Sequence, residues 1–141
     1  MGIEENKAVV RSFLEKGNKE GKTPAEICAP GFIAHIGASP AMDLQAFQQY
    51  QETYFAGFSD STIKMEDMVA EGDRVAFRGE VHSTHMGAFM GIPASGKQIS
   101  VPVIGIAQLF RGKIVEWWNS PDKLSWMQQI GALPPTEEIG K

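Results

Sequence analysis

Few side chains in this sequence could exchange a proton near neutral pH, and their spacing narrows the chemistry further. The chain has three histidines, His35, His82 and His85, and one cysteine, Cys28. Asp122 closes the run Trp117-Trp118-Asn119-Ser120-Pro121-Asp122, where a strand leads into a last helix. Two forces act on its carboxyl there: a helix N-terminus lowers the pKa, and burial beside tryptophan raises it. In a dry pocket Asp122 becomes a useful proton acceptor. In an open one it complements the helix dipole, with Ser120 as N-cap and Pro121 at the first helical position. Both readings stand on spacing alone.

The histidines divide by strand register. Along 74–84, Arg74, Ala76, Arg78, Glu80 and His82 share one face and Val75, Phe77, Gly79 and Val81 the other, so His82 belongs with the outward, charged set. His85 breaks that register and opens a Gly-rich loop, from which it can turn toward a pocket mouth. His35 ends a short extended segment after Phe32 and Ile33. For each of them a satisfied polar residue at a strand end remains the alternative. Gln108 is a lone amide flanked on its own face by Ile104, Ile106 and Phe110, and such a group must find partners. Water, backbone, Glu116 on the next strand or a ligand carbonyl would each serve. Met65, Met68, Met86 and Met90 suit an adaptable apolar cavity or act as gap fillers.

Other chemistries are disfavoured by what accompanies these residues. His82 and His85 alternate faces, no H-E-x-x-H occurs, and no carboxylate completes a metal triad. A single cysteine forms no internal disulfide and no zinc set. Ser39, Ser95 and Ser120 lack a nucleophile elbow, and 91–97 ends in Gly-Lys without the spacing of a phosphate loop. Thirteen Lys and Arg against seventeen Asp and Glu give a net charge of −4, which argues against nucleic acid. No signal peptide or membrane span is visible, and a free thiol in an acidic chain fits the cytoplasm.

The elements that must position these groups fit one domain of 141 residues, 43% hydrophobic and 21% charged. Apolar spacing predicts a helix over 4–17, a short helix over 24–28 with Thr23 as N-cap, and a helix from Asp43 to about Phe58. From Thr62 the period changes to two. Strands are expected at 62–70, 74–84, 98–110 and 114–118, then a helix over 122–130 and a polar tail over 134–141. Helices followed by a strand meander specify α+β architecture, a curved antiparallel sheet with helices on its concave side enclosing a cavity. Both faces of Val101 to Phe110 are largely apolar, so one meets the helices and the other is expected to meet a second subunit.

The run from Thr84 to Lys97, with Glu116-x-Trp118-x-x-x-Asp122 and the terminal Gln128-Gln129-Ile130-Gly131, resembles the SnoaL-like polyketide or ester cyclases of the NTF2-like superfamily. The resemblance spans about residues 3 to 132. It implies a cone-shaped, cystatin-like α+β fold over residues 1–133, with N-terminal helices around a hydrophobic pocket, in a homodimer or tetramer. The implied reaction is an intramolecular aldol condensation of a polyketide methyl ester without metal or organic cofactor. In it Asp122 is the base, while His85 and His35 hold or protonate substrate carbonyls. Gln108 and Asn119 would add polar contacts, and Trp118, Phe55 and Phe58 flat surfaces for the rings. A non-catalytic domain holding an apolar metabolite is the rival reading. A related isomerase, dehydratase or epoxide hydrolase is another, the last needing Glu116 to face Asp122.

Overall fold

A computed structural model describes residues 2–138. Helix α1 (Ile3–Glu20) turns Val10, Phe13 and Leu14 inward. It runs through Gly17 and stops at Gly21, whose φ of +76° suits a residue without a Cβ and whose N–H returns to the Gly17 carbonyl. The expected Thr23-capped helix is only a 3-10 turn at Ala25–Ile27. Thr23 is occupied elsewhere: its N–H donates to Gln51 Oε1, its hydroxyl accepts from Gln51 Nε2, and its carbonyl accepts from Gln48 Nε2. Helix α2 (Leu44–Gly57) begins as expected at Asp43, whose Oδ1 accepts the Ala46 N–H at 2.8 Å.

Strands β1 (Cys28–Ile36), β2 (Met42–Asp43), β3 (Thr62–Glu71), β4 (Arg74–Thr84), β5 (Gln98–Phe110) and β6 (Lys113–Pro121) form one curved, unclosed sheet in the order β2-β1-β6-β5-β4-β3. The meander β3 to β6 is antiparallel, as its short turns require. The brief extended segment expected near His35 is instead a full strand. It lies parallel to β6, so the sheet is mixed rather than purely antiparallel. Register shifts at Met65/Asp67 and Gln108/Leu109 interrupt the ladders, and such bulges bend a sheet and increase its twist.

Helix α3 (Lys123–Gln129) starts later than expected because Ser120 and Pro121 stay in β6, paired with Ile104 and Val103. Asp122, not Ser120, is therefore its N-cap. Beyond α3, a 3-10 turn at Thr136–Glu138 is tied back by Gln128 Nε2 donating to the Thr136 hydroxyl; residues 139–141 of the expected tail lie outside the described residues.

The helices cover the concave face. Trp117 sits between Phe13 and Phe77, with ring centroids at 4.3 and 4.9 Å, in a core that also takes Val10, Phe32, Phe47 and Leu109. Gly105 allows this packing: a Cβ there would lie 2.3 Å from the Trp118 carbonyl oxygen and 2.5 Å from Phe77 Cζ. The convex face presents Val69, Ile104, Ile106 and Phe110 to solvent. Among the described residues no helix is long and apolar enough to cross a membrane.

Candidate functional site

Between the concave face and the helices lies a cavity of about 400 Å³, within the range of small-molecule sites. Strand alternation supplies its floor. Val101 and Val103 of β5 point inward, as do Trp117 and Asn119 of β6, whereas Ile104, Glu116 and Trp118 point out. Helix α1 contributes Phe13 and Leu14, α2 contributes Phe47, Tyr50, Tyr54 and Phe55, and α3 contributes Lys123, Trp126 and Met127. Tyr50 and the exposed Met90 and Lys123 mark where the wall meets solvent.

Most polar groups on this wall are already committed. Asn18 donates to the Ile63 carbonyl and accepts its N–H, Gln51 is bound to Thr23, and the Tyr54 hydroxyl lies 3.2 Å from Ser83 Oγ. Asn119 differs. Its Oδ1 is buried with no hydrogen-bond partner among the described residues, as are Trp117 Nε1 and Trp126 Nε1. Buried polar atoms normally find partners, so this Oδ1 is an unspent acceptor. Tyr50 is 36% exposed, yet burial, helped by the neighbouring Tyr54 phenol, raises its pKa. It stays a neutral hydroxyl through neutral pH.

Of the residues singled out from sequence, Asn119, Phe55 and Met90 line this cavity. The others are placed elsewhere for reasons the strand parity and caps make plain. Asp122 is exposed, and its Oδ1 accepts the Ser125 N–H at 3.0 Å; it is outside the cavity lining. His35 and Trp118 face outward from paired positions of β1 and β6, stacked at 5.4 Å, and His35 Nε2 meets Glu116 Oε2 at 2.6 Å. Glu116 is thus on the convex side with no access to Asp122 as a second cavity acid. Gln108 also faces outward and accepts from Arg74 Nε at 2.8 Å.

His85 turns inward but into packing. It is fully buried and stacked on Phe58 at 5.1 Å. Its Nδ1 accepts the Ser95 N–H at 3.2 Å, with the Ser95 hydroxyl 2.9 Å away, which leaves the ring proton on Nε2. That bond closes the loop that runs from Met86 to Ser95. Phe58 is fully buried behind Tyr54, with the rings stacked at 4.7 Å. Sequence reasoning missed Tyr50, Tyr54, Trp117, Lys123 and Trp126. A signal for Trp117 existed: Trp118 and Asn119 have opposite parity on one strand and cannot share a face.

Among the described residues no group of three His, Cys, Asp or Glu side chains is placed to hold a metal ion. Burial, aided by Glu26 and opposed by Lys113, pushes the Cys28 thiol up to about 12, so it is no nucleophile at neutral pH.

Residues 8–130 match the family model of SnoaL-like polyketide cyclases. Among solved structures, a protein from Jannaschia sp. CCS1 assigned as a SnoaL-like polyketide cyclase is 25% identical with a TM-score of 0.81, covering 93% of this chain and 94% of that one. IdmH from Streptomyces antibioticus, assigned as a polyketide cyclase, is 26% identical with a TM-score of 0.81, covering 89% and 98%. AclR from Streptomyces galilaeus, assigned as a hydroxylase, has a TM-score of 0.85 at 23% identity over 95% and 89%, a likeness of fold. No curated protein matches the chain.

Proposed function

The chain belongs to the SnoaL-like polyketide cyclase family, and from that premise we propose that it binds a flat, oxygen-bearing, polyketide-type molecule in the concave cavity and promotes its ring closure. The observation that carries this reading is Asn119, whose buried Oδ1 has no partner among the described residues on a largely aromatic wall where most other polar groups are committed. In an aldol closure, a carbon flanked by two carbonyls gives up its proton to water at the cavity opening. The enolate carbon bonds to a third carbonyl carbon as that C=O π bond breaks, and the resulting alkoxide takes a proton back from water. The proton lost is already acidic, so the cavity's main contribution is to fold the chain until the reacting carbons meet. The unpartnered Asn119 Oδ1 accepts from an enol or hydroxyl O–H of the folded chain. The Nδ2 of the same amide is the group that can donate to a carbonyl oxygen as charge builds there, and the neutral Tyr50 hydroxyl is a second donor at the opening. Rings pack against Tyr54 and Phe55.

A second reading keeps Asp122 as the base. It is favoured by one observation: Pro121 and Lys123, on either side of it, both line the cavity, so a side-chain rotation off the α3 cap would bring the carboxylate to the edge. Single-turnover cyclisation of a poly-β-carbonyl chain separates the two. Asn119→Leu should slow ring closure about tenfold or more while Asp122→Asn leaves it within about twofold; the reverse pattern would make Asp122 the base and overturn the templating mechanism.

A further inference from the structure

Resting on this reading of the cavity, we propose that its ligand is an anion, a free carboxylic acid rather than an ester, and that Lys123 is its counter-ion at the opening. The chain carries seventeen acidic residues against thirteen Lys and Arg. Among the described residues the cavity wall reverses that balance: no Asp or Glu lines it, and Lys123 is the one charged side chain that does. An anion entering there meets no carboxylate on the wall itself, the nearest one in sequence, Asp122, being engaged with the Ser125 N–H outside it.

Lys123 is also uncommitted. Lys7, Lys16, Lys22 and Arg78 each pair with a carboxylate, while Lys123 makes no ion pair among the described residues. The adjacent Asp122 does not neutralise it, because its carboxylate is turned to the Ser125 N–H. Its ammonium group instead leans over the turn after β1, where a Cβ on Gly37 would lie 3.8 Å from Nζ. Gly37 has a φ of +54°, a conformation that favours glycine, so this corner is open above the backbone. The Gly37 N–H donates to the Asn119 carbonyl at 2.8 Å, placing the turn beneath Lys123 against the residue that offers the unspent acceptor. One molecule can therefore set a carboxylate at Lys123, a hydroxyl at the Asn119 side chain and its rings along the aromatic wall. A carboxylate gains a charge-assisted hydrogen bond there that a methyl ester cannot form, and apolar walls screen it less than water would.

The test uses anthraquinone-2-carboxylate and its methyl ester, titrated at low salt against quenching of Trp117 and Trp126. The wild-type protein should bind the acid about tenfold more tightly than the ester, with the preference shrinking as salt rises. Lys123→Gln should abolish the preference by weakening the acid alone, and Lys123→Glu should reverse it. Asn119→Leu should weaken both probes to a similar degree. Equal wild-type affinities, or a preference that survives Lys123→Gln, would overturn the anion assignment while leaving the cavity reading intact. Failure of both probes to bind would overturn the cavity reading and the assignment with it.

Discussion

Asn119 lines the cavity, whereas Asp122, three residues further along the same stretch of chain, accepts the Ser125 N–H at 3.0 Å from outside its lining. One continuous pairing explains both placements. Ser120 and Pro121 extend β6 against β5, so alternation carries Asn119 to the concave side and delivers Asp122 to the start of α3.

If Asp122 is chiefly a cap, its two simplest variants behave differently. Asp122→Ala removes the acceptor and should cost about 1 kcal/mol, a fall of a few degrees in thermal midpoint. Asp122→Asn keeps a capping oxygen and should melt close to wild type. Equal losses in both variants would show that the charge, not the cap, is what the fold requires.

Gly105→Ala forces a methyl group into the space held by the Trp118 carbonyl and Phe77. Overpacking of this kind should destabilise by about 1–3 kcal/mol, read as a lower denaturant midpoint at unchanged slope. A midpoint equal to wild type would mean that β5 and β6 are less closely packed behind Trp117 than described.

His35 and Glu116 form a half-exposed pair on the convex face. His35→Asn should leave ligand affinity in the cavity unchanged and cost no more than about 1 kcal/mol of stability. A tenfold loss of affinity would bring His35 into the site after all.

Asp60 is held below its usual carboxylate value of 3.8 by the Thr84 N–H first and the Thr84 hydroxyl next. A depressed folded-state pKa contributes stability that is present above 3.8 and is lost as pH falls through the lower folded value. Melting wild type and Asp60→Asn from pH 6 down to pH 2 should show a difference that narrows below pH 4. A gap constant with pH would remove Asp60 from the acid sensitivity of the β4 end.

The residues themselves revealed the fold more fully than the site. Period-two patterning located β3 to β6 closely, and Asp43 announced α2. The partnership of β1 with β6 was hidden, because parallel pairing over more than 80 residues of separation leaves no local turn signal. The cavity was misread for a related reason. Glu116-x-Trp118 reads as an aromatic wall leading to an acid, but alternation turns both of those side chains outward and presents Trp117 and Asn119 instead. His85 looked available because it leaves the strand register; its burial depends on Phe58 and Ser95, which no spacing rule brings together. Lys123 carries no spacing signal, since only the assembled wall shows that it is the one charged side chain lining the cavity.

The role of Asn119 can be read from the affinity of uncharged 2-(hydroxymethyl)anthraquinone, whose O–H can donate to Oδ1, for wild type and Asn119→Leu, measured by quenching of Trp117 and Trp126. Removing the amide should weaken binding about tenfold, roughly 1.4 kcal/mol, with the fold unchanged by circular dichroism. Binding as tight as wild type, or tighter, would contradict a cavity that recognises its ligand through Asn119.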